Sequence, residues 1–433
     1  MNIATSFAKH EAVRDSGTEW LGVIPSDWTV KKMKFLFRDH SRKGMPDAEL
    51  LSVTQNQGVV PRTWVENRMV MPSGNLESFK FIEEGDFAIS LRSFEGGLEY
   101  CHHDGIISPA YTVLKRRSQD LLPAYYRYLF KSTAFISELQ TSVVGIREGK
   151  NISFEELSYS LIPIPPLPEQ RAIAAFLDGK CATIDEAVRI KEEQIRLLAE
   201  RRQILIQQAV TRGLNPDAPM KDSGIDWIGR IPAHWEVKRL RHLGTPVIGL
   251  TYDPKDLCDA DEGTLVLRSS NLQGGRFTYG DDLNVYVSMR IPEKLKIKRD
   301  DILICSRNGS RDLIGKCALA TEQDCGASFG AFTTVFRSPI NRYLFQILNS
   351  EIFKLLAGSF LTATINQLTT SNLNSIYVPV PPPAEQAQLT DYLETLNTKV
   401  SDAIALKGSQ ISALREYKTS LINAAVTGKI KVL

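Results

Sequence analysis

The chain contains one module written twice, and this duplication constrains its fold more than any other feature. Residues 15–37 (DSGTEWLGVIPSDWTVKKMKFLF) match residues 222–244 (DSGIDWIGRIPAHWEVKRLRHLG) at an offset of 207 positions. A second match, at an offset of 216 positions, pairs LIPIPPLPEQ (161–170) with YVPVPPPAEQ (377–386). Two copies are too few for a solenoid, which needs three or more repeats to bury its faces. We therefore predict a protein with internal pseudo-two-fold symmetry.

Each copy ends in a segment with the pattern of a long helix. No proline lies between Glu169 and Arg212, or from Glu385 to the C-terminus, so each segment can hold a helix of about 30–40 residues, roughly 45–60 Å long. Apolar residues recur there at heptad spacing, which favours a packed helix pair over a surface helix. In the first copy one heptad core position holds Leu177, Ile184, Lys191, Leu198 and Leu205.

Two features modify this helical pattern. Thr183 and Glu186 could form a capping box after Gly179, which predicts a break of the first helix there. Polar residues interrupt the heptads at matching core positions of the two copies, and such residues fix register and partner at a cost in stability. The residues that we predict to set the register of the helix pair are Lys191, Arg202, Lys407 and Lys418.

The segments between the matches, about 38–160 and 245–376, have a mixed pattern. Short alternating runs such as FAISL and ILICS predict strands, and the runs LLPAYYRYLFKSTAFISEL and NRYLFQILNSEIFKLLAG predict amphipathic helices. Similarity between the two segments is weak, but an acid recurs at Asp86 and Asp301. The sequence therefore predicts an α+β class with two mixed α/β domains.

The composition is that of an ordinary globular protein, with 43% hydrophobic residues and a net charge of +2. The six cysteines show no CxxC spacing, and Cys101-His102-His103 with Asp104 is a weak metal-ligand pattern, because adjacent residues rarely converge on one ion. No signal peptide and no apolar run of about 18 residues is present. We predict a cytoplasmic protein without a bound metal.

No catalytic motif is shared by both copies, which argues against an enzyme. Glu236-Val237-Lys238, downstream of Asp226, resembles the end of a nuclease motif, but the first copy has Thr29-Val30-Lys31 at those positions. Residues 309–317 (GSRDLIGKC) resemble a phosphate loop with one residue too many between the glycines and a cysteine where Ser or Thr should bind magnesium. The sequence therefore predicts a non-catalytic chain.

The complete set of repeated strings resembles the specificity (S) subunit of type I restriction-modification enzymes. These strings are WLGVIPSDWTVKKMKFLF with WIGRIPAHWEVKRLRHLG, PIPPLPEQRAIAAFL with PVPPPAEQAQLTDYL, and QQAVTRGL with NAAVTGKI. The resemblance covers the chain beyond residue 14. It implies two target-recognition domains, separated by two long antiparallel conserved helices, that each read one half of a split DNA site.

The resemblance also implies a domain order and a set of partners. We predict an N-terminal extension (1–14), a first target-recognition domain (15–162), a central helical segment (163–214), a second target-recognition domain (215–378) and a C-terminal helical segment (379–433). The expected partners are double-stranded DNA with a bipartite site, two methyltransferase (M) subunits and two restriction or motor (R) subunits. This chain would hold no cofactor, whereas the partner subunits would use S-adenosylmethionine, ATP and Mg²⁺. The assembled complex would be an adenine-specific DNA methyltransferase and an ATP-dependent endonuclease.

Side-chain chemistry suggests which residues contact DNA. Arg and Lys bind guanine edges, and Asn and Gln bind adenine edges. Lys plus Arg equals Asp plus Glu in number in residues 38–150 and again in 245–372, so any basic face must be concentrated locally or be supplied by partner subunits. The candidates are Gln55, Asn56, Gln57, Arg92, Ser93 and Phe94 in the first copy, and Arg268, Ser269, Asn271, Arg307, Asn308, Arg311 and Lys316 in the second.

Two alternatives remain open at this stage. Arg92 and Arg307 are shared by both copies, so they could be structural or contact phosphates, because specificity should lie where the copies differ. The chain could also be a structural adaptor whose two variable domains bind proteins and not DNA. In the DNA-reading hypothesis the helix length sets the distance between half-sites, and inserting one heptad, about 10 Å, should shift the preferred spacing by about three base pairs.

Overall fold

The chain divides into two compact units in a computed structural model that describes residues 7–65, 76–144, 151–360 and 366–432. Unit 1 comprises Met1–Glu192 and Gly408–Leu433, and unit 2 comprises Glu193–Lys407. Both long helices cross this division, so each unit contains a portion of each helix. The boundaries at residues 162, 214 and 378 stay a prediction, because they separate helices from domains whereas the units group each domain with helix portions.

Unit 1 is built on short strands and short helices. Its strands are β1 (Val13–Asp15), β2 (Val23–Pro25), β3 (Thr29–Lys32), β4 (Phe37–Asp39), β5 (Leu51–Thr54), β6 (Gly58–Pro61), β7 (Lys80–Ile82), β8 (Phe87–Ile89), β9 (Glu99–Tyr100), β10 (Gly105–Ile107), β11 (Thr112–Arg116), β12 (Val143–Val144), β13 (Asn151–Ile152) and β14 (Leu161–Ile164). Its short helices are α1 (Met33–Leu36), α2 (Ser93–Gly96), α3 (Pro123–Leu129), α4 (Thr133–Thr141) and α5 (Phe154–Leu157). The long helix α6 (Leu167–Arg212) begins in unit 1.

Unit 2 follows with a similar set of elements. Its strands are β15 (Met220–Asp222), β16 (Arg230–Pro232), β17 (Glu236–Arg239), β18 (Thr245–Ile248), β19 (Leu257–Cys258), β20 (Thr264–Leu267), β21 (Leu272–Gln273), β22 (Arg276–Phe277), β23 (Tyr286–Val287), β24 (Ile302–Cys305), β25 (Cys317–Leu319), β26 (Ser328–Phe329), β27 (Thr333–Arg337) and β28 (Tyr377–Val380). Its helices are α7 (Asn341–Leu348), α8 (Glu351–Ser359) and α9 (Thr370–Ser375), and the long helix α10 (Pro383–Val426) begins here.

Each unit has its own central sheet, and the two sheets have the same strand arrangement. Strands β4-β11-β8-β9 form an antiparallel sheet in unit 1, and β18-β27-β24-β25 form the same arrangement in unit 2. In each unit the strand of the opening segment pairs with the strand that precedes the long helix, β3 with β14 and β17 with β28. The predicted α+β class and internal repeat are confirmed.

The central sheets carry the apolar runs that predicted them. Phe87, Ala88 and Ile89 of β8 are buried, as are all four residues of β24 (ILIC). Helices α3 and α4 cover the sheet of unit 1 with aromatic rings, and the Phe130 ring lies 4.9 Å from Phe87. Ser132 and Ser350 cap α4 and α8, because their hydroxyls accept hydrogen bonds from the backbone N–H groups of Phe135 and Phe353.

The long helices are longer than predicted, at 46 residues for α6 and 44 for α10. At 1.5 Å per residue they extend roughly 65–70 Å. In unit 1 Asp185 of α6 pairs with Lys418 of α10, and Lys191 bonds to Gln410, so these portions run antiparallel. Both ends of each helix bury apolar residues completely, as Leu177 and Val210 of α6 and Leu393 and Val426 of α10 show.

The predicted break at Gly179 is wrong. Helix α6 continues through this residue, and the Thr183 hydroxyl donates a hydrogen bond to the Gly179 carbonyl oxygen at 2.8 Å. A hydroxyl that bonds four residues back is accommodated inside a helix and does not have to cap a new one.

Among the described residues, no helix has the length and apolar character needed to cross a membrane.

Candidate nucleic-acid interface

A tryptophan–glutamate pair links the opening segment to the long helix in each unit. The Trp28 indole donates to the Glu169 carboxylate at 2.8 Å, and Trp235 donates to Glu385 at 2.8 Å. Both indoles are almost fully buried. A buried indole N–H requires a partner, and the repeated glutamate provides it at the first turn of the helix.

The glutamine that follows the repeated glutamate fastens the proline-rich turn. The Gln170 amide donates to the carbonyls of Pro165 and Asp120 at 2.9 Å and accepts from the Leu122 N–H at 2.8 Å. Gln386 donates to the Pro381 carbonyl at 2.8 Å. These shared side chains are therefore used within the fold and form a frame around the variable surface.

The first predicted loop of unit 1 is the tip of the β5–β6 hairpin. Gln55, Asn56 and Gln57 are exposed there. Gly58 closes the tip with φ of +75°, and a Cβ at this position would lie 2.5 Å from the Tyr100 carbonyl oxygen. Glycine is therefore required to bring the hairpin close to β9, which leaves three amide side chains facing solvent.

The second predicted loop of unit 1 follows β8 and lies beside the hairpin tip. Arg92 is exposed, and its carbonyl oxygen is 3.5 Å from the Gln55 amide nitrogen. Phe94 is half-buried. Ser93 is fully buried, and its hydroxyl accepts a hydrogen bond from the Ser90 N–H at 2.8 Å. The prediction that Ser93 contacts DNA does not fit this position, because its hydroxyl is used inside the turn.

The first predicted loop of unit 2 is held from within. Arg268 is half-buried, and its guanidinium donates to the Leu283 carbonyl at 2.9 Å. Asn271 is fully buried, where its amide accepts from the Arg268 N–H at 2.9 Å and donates to the Thr278 carbonyl at 3.1 Å. Asn271 is therefore a structural residue, and the prediction that it contacts DNA does not fit.

The second loop of unit 2 contacts the first loop directly. The Asn308 amide donates to the Ser269 hydroxyl at 3.1 Å. Arg307 and Arg311 are exposed, and Lys316 is half-buried. The Arg307 guanidinium lies 5.2 Å from the ring centroid of Phe332, a distance typical of a cation–π contact. Both predicted loop pairs are thus brought together, each within its own unit.

Sequence reasoning missed several residues of these surfaces. Phe332, beside Arg307, is 59% exposed. The Asn366 amide donates to the Gly309 carbonyl at 3.2 Å, and the Leu368 N–H donates to the Ser306 carbonyl at 2.8 Å. Residues 366–368 lie far from the loop in sequence, so no local pattern could have placed them there.

A concentration of positive charge lies on the edge of the central sheet in unit 1. Arg38 of β4 is paired in register with Lys115 of β11, and Arg42 follows the same strand. Burial, and then the charges of Arg38 and Arg42, lower the pKa of Lys115, which also pairs with Glu83. Two like charges directly opposite each other destabilise a sheet unless an anion compensates them. The corresponding register pair in unit 2 is Thr245 with Arg337.

The shared acids are structural, but in different ways. Asp301 forms an ion pair with Arg337 at 2.9 Å and accepts from the Lys298 N–H at 2.9 Å. Asp86 accepts from the Glu83 N–H at 3.2 Å, and burial raises its pKa to about 7. Because both accept from the backbone three residues before them, they hold the turn that leads into β8 or β24.

Three of the four predicted register residues bond across the helix pair of their own unit. In unit 1 Lys191 donates to Gln410 at 2.6 Å, and Lys418 pairs with Asp185. In unit 2 Lys407 donates to Gln194 at 2.6 Å. Lys407 lies 216 positions after Lys191, and Gln410 lies 216 positions after Gln194, so the two lysine–glutamine bonds are equivalent in the two copies. Arg202 is half-buried, and its role in setting the register stays a prediction.

The weak catalytic and metal patterns find no support in the described part of the chain. No group of three or more His, Cys, Asp or Glu side chains with metal-binding geometry occurs there. Cys101 is buried, which raises its pKa to about 12, and its thiol donates to the His103 carbonyl. Residues 309–316 join two strands, β24 and β25, whereas a phosphate loop leads into a helix.

Comparison with known proteins finds similarity to one family. Residues 232–407, most of unit 2, match the family model described as the type I restriction modification DNA specificity domain. The MjaVIII specificity subunit of Methanocaldococcus jannaschii is 25% identical over 366 residues, which cover 81% of this chain and 80% of that protein. The putative MjaX specificity subunit from the same organism is 24% identical and aligns over 100% of both chains. Residues 232–407 therefore match a DNA specificity domain, and the chain is similar over most of its length to type I restriction enzyme specificity subunits.

A further relative and two solved structures are also similar to this chain. The EcoKI specificity subunit of Escherichia coli K12 is 27% identical over 209 residues, which cover 47% of this chain and 44% of that protein. A chain from a solved type I R-M system shares the fold with a TM-score of 0.73, at 16% identity, covering 93% of this chain and 98% of that chain. The HsdS subunit of Thermoanaerobacter tengcongensis has a TM-score of 0.54, also at 16% identity, covering 94% of this chain and 98% of its own. The family resemblance seen in the sequence is thus confirmed.

Proposed function

We propose that this chain is a type I specificity subunit that reads a bipartite DNA site, one half with each unit, and is itself non-catalytic. The observation that carries the proposal is the contrast inside the duplicated module. Both units keep the same buried Trp–Glu pair and the same central sheet, whereas the exposed loops beside that sheet differ in chemistry. One frame presenting two different polar surfaces suits two different half-sites.

The loops provide the side chains that base reading requires. In unit 1 the exposed amides of Gln55, Asn56 and Gln57 suit adenine edges, and Arg92 suits a guanine edge or a phosphate. In unit 2 the exposed Arg307 and Arg311 suit guanine edges. Further residues that we propose contact DNA are Phe94, Ser269, Asn308 and Lys316. The cluster of Arg38, Arg42 and Lys115 would bind backbone phosphates, which position a protein without reading sequence.

The long helices would dock the partner subunits. In unit 2 two leucines of the long helices face solvent. Leu197 of α6 is 48% exposed, and Leu406 of α10 is 60% exposed. In unit 1 a groove of about 430 Å³ lies on the helix pair beside Leu414 and Tyr417. Exposed apolar groups on a helix surface favour a protein partner. We propose two M subunits and two R subunits as the partners, with S-adenosylmethionine, ATP and Mg²⁺ used by them.

Helix length would then determine the distance between the two half-sites. We propose inserting seven residues into α6 after residue 192 and seven into α10 after residue 407, at the division between the units. Each insertion adds about 10 Å of helix, which corresponds to about three base pairs. The preferred spacer should lengthen by that amount while both half-site sequences stay the same. An unchanged spacer would contradict this role of the helices.

Single-molecule methylation mapping of the host genome, with and without this gene, tests the proposal. We expect adenine methylation at a split motif that disappears when the gene is deleted. The purified chain, given S-adenosylmethionine, ATP, Mg²⁺ and DNA, should neither methylate nor cleave. Turnover by the chain alone would contradict the non-catalytic role, and an unchanged methylation pattern would favour a protein-binding adaptor.

A further inference from the structure

Lys131 lies between the two loops of unit 1 and bonds to both. It follows α3, and its ammonium group donates to the Gln55 carbonyl oxygen at 3.0 Å and to the Gly96 carbonyl oxygen at 2.8 Å. Its third bond goes to the Glu99 carboxylate at 2.6 Å. An ammonium group has three donors, and all three are used here. Lys131 therefore links the hairpin tip (55–57) to the loop at 92–97.

Glu99 holds the Lys131 ammonium group from the interior of unit 1. Its side chain is 1% exposed, and its second carboxylate oxygen is buried without a hydrogen-bond partner among the described residues. A carboxylate in such a position is tolerated only beside a compensating charge, and Lys131 is the cation that supplies it. The Lys131–Glu99 pair is therefore set by the interior of the unit, which keeps the ammonium group in place when the loops meet a ligand.

The arrangement belongs to unit 1 alone. Glu99 is paired in register with Ala88, and the register partner of Leu303 at the corresponding place in unit 2 is Ala318. The loops of unit 2 contact each other directly through Asn308 and Ser269 at 3.1 Å. The link through Lys131 is therefore part of what distinguishes the units and not part of the shared frame.

We propose that Lys131 is a positioning residue for reading the first half-site, and this inference rests on the proposed function. Lys131 fixes the amides of the hairpin tip relative to Arg92, so that both loops meet the base edges in one arrangement. Base reading depends on groups held to within about 0.5 Å, and loops ordered before binding lose less entropy on binding. Glu99 acts through Lys131 and touches no DNA.

Methylation mapping of strains that carry single substitutions tests this role. The variants are Lys131→Met, Lys131→Arg and, as a control, Lys354→Met. Lys354 bonds to Glu351 on the surface of α8 in unit 2, so its replacement removes the same charge far from the loops in sequence and contact. Arginine retains a cation with several donors, so Lys131→Arg should keep part of the effect.

We expect Lys131→Met to reduce methylation at the native motif at least about tenfold, or to relax the first half of the motif, with the second half unchanged. Lys131→Arg should be intermediate, and Lys354→Met should match the unmodified protein. In the purified chain, Lys131→Met should accelerate hydrogen exchange at 55–57 and 92–97 but not in β24. This exchange pattern separates loop positioning from general unfolding.

Two results would overturn the inference. A native motif and native loop exchange in Lys131→Met would show that the loops need no such link. An equal loss of both half-sites, with faster exchange throughout the chain, would show that Lys131 only supports folding. If the unmodified gene directs no methylation at all, the proposed function fails first, and that outcome is distinguishable because it does not depend on any variant.

Discussion

Units 1 and 2 agree in their interiors and differ at the surfaces that we propose contact DNA. The Trp–Glu distance is 2.8 Å in both, and the strand order of the central sheet is the same. At the sheet edge, however, unit 1 pairs Arg38 with Lys115 where unit 2 pairs Thr245 with Arg337, whose charge is balanced by Asp301. The comparison separates the contacts that any half of this protein needs from those that a particular half-site selects.

The largest effect should come from breaking the shared frame in one unit at a time. Trp28→Ala removes a buried indole and leaves Glu169 without its donor, so we expect a loss of about 3–5 kcal/mol in the free energy of unfolding of unit 1. Trp235→Ala should do the same to unit 2. Hydrogen exchange, read separately in β8 and β24 during urea unfolding, measures each effect.

An exposed tryptophan provides the control for that experiment. Trp64 lies in unit 1 and is 62% exposed, so Trp64→Ala should change the free energy of unfolding by no more than about 0.5 kcal/mol. If Trp28→Ala accelerated exchange equally in β8 and β24, the frames would not be independent, and the comparison between the units would lose its basis.

Replacing Asp301 or Asp86 by asparagine should change the free energy of unfolding in opposite directions. Asp301 has a buried ion pair with Arg337, so Asp301→Asn should lower the free energy of unfolding by about 1–3 kcal/mol. Asp86 has a pKa raised by burial from 3.8 to about 7, so its folded state binds a proton more tightly than its unfolded state. This contribution to stability is present below about pH 4 and is lost as the pH rises to about 7.

Asp86→Asn should therefore raise the free energy of unfolding at pH 8, by about 1–2 kcal/mol, and have little effect at pH 4. The amide oxygen can still accept from the Glu83 N–H. Urea unfolding of both variants at pH 4, 6 and 8 makes the measurement. A destabilised Asp86→Asn at pH 8 would mean that an ionised Asp86 is compensated by a charge as Asp301 is.

The sequence predicted the frame well, because a duplicated chain reveals which residues both halves keep. The sequence predicted poorly which single residues are buried and which are exposed. Ser93 and Asn271 are polar loop residues, and nothing in their pattern distinguishes a buried hydrogen-bonding role from an exposed one. Likewise, the heptads placed Leu205 in the helix core, whereas Leu205 is half-buried and its neighbour Ile206 is buried. A 3.5-residue repeat drifts against the 3.6-residue period of a helix over 46 residues.

The smallest effect should come from the bonds across the helix pair. Lys191→Leu in unit 1 and Lys407→Leu in unit 2 each remove one bond to a glutamine near the helix surface. An apolar residue at a heptad core position favours helix pairing, so we expect each change to raise the free energy of unfolding by less than about 1 kcal/mol. Thermal unfolding measures this. A loss of more than 1 kcal/mol would show that these lysines stabilise the helix pair, in addition to fixing its register.

The central claim is that each unit reads its own half of the DNA site. It is tested most directly by methylation mapping of two strains, one with Gln55→Ala and Gln57→Ala, the other with Arg307→Ala and Arg311→Ala. We predict that the first strain relaxes only one half of the split motif and the second strain only the other half, each by about 1–3 kcal/mol per lost base contact. A change in both halves in either strain, or in neither half in both strains, would contradict the claim.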